Sequence, residues 1–145
     1  MLVYAATPHI HQPDYTTMIE NIAGLAYAPE SAKQFSAKPV IVSPITLSVP
    51  NVPWAVALIS RLAQTGNVHS LTFADPVDLG LADFEPKHLL ATQSSHPLLA
   101  EALAMADAKG RRKILVTNFT DRTLTASIDD KKNVLPPRSV STIGP

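Results

Sequence analysis

Lys38-Pro39-Val40-Ile41-Val42-Ser43-Pro44-Ile45-Thr46-Leu47 decides the fold. Val40, Ile41 and Val42 form an unbroken β-branched run. Such a run suits a strand covered on both faces, as in a parallel sheet flanked by helices. Pro39 can open a strand, whereas Pro44 has no N–H to give a central ladder, so the regular strand is expected to stop at Pro44. Ser43 and Thr46 then fall at or just past the strand's C-terminal end. In α/β folds that is the edge on which ligands bind.

The flanking sequence repeats the same logic. Leu2–Ala6 reads as an apolar strand, followed by a proline-bounded loop from Thr7 to Asp14. Thr17-Met18-Ile19-Glu20 fits a capping box, and Met18, Ile19, Ile22 and Ala26 recur at helical spacing. Pro29 is expected to interrupt that helix, with another turn or two through Ser31 to Phe35. Downstream of the central strand, Trp54 to Gln64 predicts a second helix with Trp54, Ala57, Leu58 and Leu62 on one face and Gly66 as its stop. Val68–Ala74 is a third strand, closed by Asp75-Pro76. Strand, helix, strand, helix, strand is the signature of a parallel sheet with crossover connections.

Beyond Asp75 the character changes. Pro76 to Ser95 reads as a long connection with one short helix around Glu85–Ala91. Leu98 to Ala108 is helical by propensity, yet Leu99, Glu101, Leu103 and Met105 alternate as in a strand, and the residues leave both readings open. Lys113–Asn118 is a strand, Thr123–Ile128 alternates and is expected to pair with it, and Ser139–Ile143 is a last short strand. The tail is therefore expected to be a small antiparallel sheet.

Composition bounds the function. The 145 residues make one domain or parts of two, and a hydrophobic fraction of 46% suffices for a core. Twelve acids balance twelve bases, so no nucleic-acid partner is expected. The absence of cysteine excludes disulfide and thiolate chemistry. No apolar run approaches a membrane span and no signal peptide is apparent, so no membrane partner and a cytoplasmic location are expected. Thirteen prolines against five glycines favour stiff loops over phosphate-cradling ones. With no Walker or dinucleotide pattern, no cofactor is expected. Asn118-Phe119-Thr120 matches the glycosylation sequon and reads as a chance match.

Thr7-Pro8-His9-Ile10-His11 with Thr17–Ile22, then Pro39–Leu47, resembles the C-terminal portion of the D-apionate lactonase family. The family's motifs there are Asn-Pro-x-Val-His and Pro-Ile-x-Val-Ser-Pro-Val-Thr-Leu. Ser94–Leu98, Ile114–Thr120 and Leu135–Pro137 resemble its tail. The resemblance implies an α/β fold: a partial (β/α) barrel like those of glycoside hydrolases, holding the last three strand–helix units over residues 1–93. A small antiparallel β-domain over 94–145 follows it. Leu2–Ala6, Val40–Ser43 and Val68–Ala74 would be barrel strands six, seven and eight, and Leu98–Met105 would be a strand. Two departures matter. Thr7 replaces the family's asparagine, and Phe73-Ala74-Asp75 stands where two aromatics and a glutamate are usual.

The implied substrate is a small sugar lactone or another carbohydrate, hydrolysed by water with help from a carboxylate or histidine. Asp75, directly after a strand, and His11, which matches the family motif, are the candidate catalytic residues, and Ser43 is the candidate substrate-binding residue. Asp75 is one methylene shorter than glutamate, and a misplacement of about 1 Å can cost roughly a hundredfold in rate. His9-x-His11 resembles a metal pair, but no further His or Cys completes the ligand set, so no metal is expected. Asp14 reads as a turn or helix cap and Trp54 as core. Because strands one to five are absent, the chain is expected to be inactive alone, and its open sheet edges are expected to drive self-association; the alternatives are a non-catalytic remnant or partner-dependent chain, and a fragment of a glycoside-hydrolase-like barrel acting on a glycosidic bond.

Overall fold

The computed structural model describes residues 1–8, 14–47 and 51–144. The chain forms two compact units, Met1–Asn51 with Leu58–Asp78, and Val52–Ala57 with Leu79–Pro145. The class is mixed α/β, with three parallel strands in one unit and antiparallel strands in the other. No closed barrel is present among the described residues.

The first unit holds β1 (Leu2–Ala6), α1 (Tyr15–Ala32), β2 (Val40–Ile45), most of α2 (Val52–Gln64) and β3 (Val68–Phe73). β2 pairs in parallel with β1 on one side and β3 on the other. Val40, Val42 and Ile45 are fully covered, as the β-branched run predicts. The strand does not stop at Pro44. Between Val42 and Ile45, β2 advances three residues while β1 advances two, from Tyr4 to Ala6, and β3 two, from Leu71 to Phe73. The extra residue makes a bulge, and the bulged interval is the one containing proline, whose missing N–H the ladder would otherwise lack. The Ser43–Pro44 bond is cis.

Two more sequence expectations need correction here. The N-cap of α1 is Asp14, whose carboxylate accepts from the Thr17 amide at 3.0 Å and the Thr17 hydroxyl at 2.6 Å. Thr17 is thus inside the helix and does not cap it. An aspartate one residue before the first turn offers two oxygens to free amides, which a Thr hydroxyl cannot match. The helix also runs through Pro29 to Ala32. A helical residue 29 would normally donate its N–H to the carbonyl of Leu25. Proline cannot, and that carbonyl instead faces the Tyr4 hydroxyl of β1 at 3.4 Å. The Pro29 carbonyl accepts from Asn67 Nδ2 at 2.8 Å. The kink-prone site is thereby tied to β1 and to the start of β3, and burial pushes the Tyr4 phenol above its ordinary pKa.

Met18, Ile19, Ile22 and Ala32 of α1 are buried. In α2, Trp54 through Leu58 and Leu62 are wholly inaccessible, Trp54 among them as core. Gly66, at φ 74°, ends the following turn, in the left-handed region that glycine enters without strain. Neither helix is long and apolar enough to cross a membrane.

The second unit carries a four-stranded antiparallel sheet in the order β4 (His88–Leu90), β5 (Ala102–Ala106), β6 (Arg112–Asn118), β9 (Ser139–Ile143). A separate hairpin joins β7 (Leu124–Ile128) to β8 (Lys131–Leu135). The helix expected around Glu85–Ala91 is strand β4, paired His88 to Ala106 and Leu90 to Ala104. Leu98–Met105 is strand from Ala102 only, with Leu98 and Leu99 in a turn. The alternation therefore outweighs helix propensity, because each β5 residue finds a partner on β6. The expected pairing of Lys113–Asn118 with Thr123–Ile128 does not occur: β6 pairs with β5 and β9, while β7 pairs with β8. Asp129 and Asp130, at φ 47° and 63°, make the two-residue turn whose twist suits a hairpin.

Asn118 explains why β6 does not turn straight into β7. Its side chain is wholly buried. Nδ2 donates to the carbonyls of Arg122, Leu135 and Pro136 at 2.8, 3.1 and 2.9 Å, and Oδ1 accepts from the amide and hydroxyl of Thr120, both at 2.8 Å. One amide thus fastens the end of β6, the following loop and the end of β8. The nitrogen that a glycan would occupy in the sequon is the nitrogen making these bonds. Asn118→Ala is expected to leave several buried groups unpaired and to lower unfolding free energy by on the order of 3 kcal/mol. Urea unfolding of the variant against the parent checks this.

The β5–β6 connection is closed by Asp107. One carboxylate oxygen accepts from the Lys109 and Arg111 amides at 2.8 and 2.9 Å, and the other from Arg111 Nε at 2.6 Å. Burial pushes this carboxyl up, but the Arg111 side chain and the two amides hold it below the ordinary value. Ionised Asp107 therefore contributes stability that is complete above the unfolded carboxyl's pKa and is lost as pH falls through the lower folded pKa. Asp107→Asn is expected to flatten the acid limb of Tm against pH. An unchanged acid limb would remove Asp107 as its source.

Candidate functional site

The C-terminal ends of β1, β2 and β3 form one edge. The Thr46 amide donates to Ala6 O at 3.0 Å, and the Ala74 amide donates to Ile45 O at 2.8 Å. Ala6, Ile45 and Phe73 thus end the three strands at a common level, with Thr46 and Ala74 the first residues beyond β2 and β3 and Asp75 the next after Ala74. Pro8, just past β1, is held at the same edge by Asn21 of α1, whose Nδ2 donates to Pro8 O at 3.0 Å. Asn21 and Thr46 are the residues the sequence reading passed over as site elements. Thr46 was noted only as lying near a strand end, because the bulge that lengthens β2 has no signal beyond Pro44.

Asp75 is exposed. Ser43 is half-buried and lies inside the bulge. Because the bulge sets three β2 residues against two on each neighbour, Ser43 lies about two ladder steps, roughly 7 Å, below Thr46. Continuing the register from Ile45 opposite Phe73 sets Thr46 opposite Ala74, one residue before Asp75, so its hydroxyl is nearer that level than the Ser43 hydroxyl. His11, with His9, lies outside the described residues. A small hollow of about 10 Å³ lies against Asp75, lined by Ile45, Leu47, Phe73, Pro76 and Val77. It has room for about one water and none for a sugar.

Charge sets a further limit. The segments that leave the three strands, residues 7–14, 46–51 and 74–78, contain Asp14, Asp75 and Asp78 but no Lys or Arg. Asp14 is occupied as the cap of α1, where its bonds to Thr17 hold its carboxyl below the ordinary range. These segments thus offer no Lys or Arg with which to grip a phosphate or carboxylate, which favours neutral ligands. Among the described residues, no three His, Asp or Glu side chains are grouped to hold a metal ion.

The open face of this sheet carries Val3, Ile41 and Ser70 in one row, by register, with Ala5, Ser43 and Thr72 at alternate positions. Val3 is 62% exposed. Among the described residues, β1 and β3 each have a strand partner on one side only, so both outer edges present unpaired backbone groups.

No protein-family model and no curated protein sequence matches the chain. Two solved structures are similar in fold. One is CelM2, a bifunctional glucanase-xylanase protein from a metagenome library, with a TM-score of 0.62 at 7% identity over 98% of this chain. The other is a conserved exported protein from Bacteroides fragilis, with a TM-score of 0.50 at 11% identity over 97% of this chain. The chain spans 43% and 45% of those two chains. At such identities the likeness is one of fold alone.

Proposed function

We propose that this chain supplies the last three strand–helix units of a (β/α) barrel, residues 1–93, and a small β-domain, residues 94–145, of a carbohydrate-active hydrolase. One observation carries this reading. Among the described residues, a parallel sheet of three strands is unpaired on both edges, in a chain that shares the fold of less than half of a glycanase. Five further strand–helix units, in whichever polypeptide carries them, would close the barrel. The edge at Thr46 and Asp75 would then form one wall of its pocket.

The preferred reaction is hydrolysis of a sugar lactone. Asp75 takes a proton from water as its oxygen adds to the ring carbonyl, and His11 returns a proton to the ring oxygen as the C–O bond breaks. Ser43, with Thr46 above it, hydrogen-bonds sugar hydroxyls. An edge without Lys or Arg accepts a neutral lactone, and its carboxylates repel the hydroxy-acid anion that results. A second reading, cleavage of a glycosidic bond, is favoured by the glycanase neighbour. It requires a second carboxylate from the remaining strands.

Residues 1–145 alone are expected to show no lactonase activity. A barrel restored with strands from a relative is expected to hydrolyse sugar lactones. His11→Ala and Asp75→Asn should each lower kcat/KM by about a hundredfold or more. If both variants keep the parent's kcat/KM, this edge is scaffolding. If the restored barrel cleaves neutral glycosides and leaves lactones intact, the second reading replaces the first.

The open edges and the exposed Val3 row predict self-association of the isolated chain. Sedimentation velocity should show a weight-average mass that rises with concentration. A sharp monomer at every concentration would contradict it.

A further inference from the structure

We infer that the second unit binds a uronate, a sugar bearing a carboxylate, in the cleft between Arg112 and Lys131. The cleft has a volume of about 540 Å³. It lies where the β5–β6 and β7–β8 turns meet. Ile114, Ile128 and Ile143, each half-buried, line it as an aliphatic floor, and Arg112, Asp129 and Lys131 are charged residues of its lining.

The charge distribution singles out this place. Lys109, Arg111, Arg112, Lys113, Lys131 and Lys132 are six of the chain's twelve basic residues, set on or beside two turns that also carry Asp107, Asp129 and Asp130, in a chain with no net charge. Two of them are committed elsewhere. Arg111 is bound to buried Asp107, and Lys113 lies over the Phe84 ring, 5.2 Å from its centre. Arg112 is paired with the exposed Asp129 carboxylate, Nη2 to Oδ2 at 2.9 Å, with both side chains more than half exposed. Such a pair is weak and readily exchanged for another carboxylate. Lys131 has no carboxylate partner among the described residues.

The chemistry of the lining selects the ligand. A guanidinium presents two parallel N–H donors to a carboxylate, and Lys131 adds a point charge. The isoleucine floor suits the C–H face of a sugar ring. Asp129, once displaced from Arg112, can accept from ring hydroxyls. A fatty acid has no hydroxyl to offer it, and a bare phosphate has no apolar face. The wall at Gly144 is closely built: at φ 105°, a Cβ there would lie 2.5 Å from the Arg112 carbonyl. This inference is independent of the chemistry assigned to the β1–β3 edge, and neither depends on the other's test.

The experiment is an NMR titration of the 145-residue chain with trigalacturonate, its methyl ester, inorganic phosphate and laurate. Trigalacturonate is expected to shift the amides of Ile114, Ile128 and Ile143 and to weaken as salt rises. The neutral ester, phosphate and laurate should each bind at least tenfold more weakly. Arg112→Gln and Lys131→Gln should each cost about tenfold, whereas Lys38→Gln in the other unit should cost nothing. Asp129→Asn frees Arg112 and suits the positive φ of that turn position, so it should tighten binding about threefold. Retained amide dispersion in each variant separates lost binding from lost folding, and Arg112→Lys, which keeps the charge, should recover part of the affinity. The proposal is overturned if the ester, phosphate or laurate binds as well as trigalacturonate, if the shifts fall elsewhere, or if Asp129→Asn weakens binding or leaves it unchanged.

Discussion

The parallel sheet depends on β2 accommodating a proline. β2 alone in its sheet has partners on both sides, so any defect in its ladder is shared with both neighbours. Pro44 has no N–H, and the bulge at Ser43-Pro44 removes one residue from register against β1 and β3 together. Pairing then resumes, through Thr46 to Ala6 and Ala74 to Ile45. The level at which β2 ends follows from that insertion against β1, and against β3 from that insertion together with the one-residue shift between Val68 and Ser70.

The same principle, an unmet backbone group finding a distant partner, organises the rest. Pro29 leaves the Leu25 carbonyl without its helical donor, and Tyr4 approaches it from β1. Asn118 satisfies three carbonyls and one amide from segments that would otherwise be irregular and buried. In each case a residue that breaks or ends regular structure is compensated by a named side chain from another element. Buried backbone groups must be paired, and these bonds meet that requirement where ladders cannot.

The functional reading divides in the same way. The segments leaving β1–β3 carry carboxylates and no Lys or Arg, which favours neutral ligands there. The cation-rich turns of the second unit have the opposite character. Two surfaces of opposite charge within a chain of zero net charge point to ligands of different charge, and composition averaged over 145 residues conceals that contrast.

Sequence alone determined the local elements. The β-branched run of β2, the helical spacing of α2, the stop at Gly66 and the Asp14 cap all act over a few residues, where hydrophobic period and turn chemistry are decisive. The order of β1–β3 and the parallel class also followed, because alternation of strands and helices leaves few topologies. Only the tertiary structure decided the rest. α1 passes Pro29 because Tyr4 and Asn67 reach it. β2 passes Pro44 because both neighbours yield a residue of register. β7 leaves β6 for β8 because Asn118 draws the end of β8 and the intervening loop to itself. Strand partnership and bulges depend on groups far apart in the chain, and no local window contains both sides of such a bond.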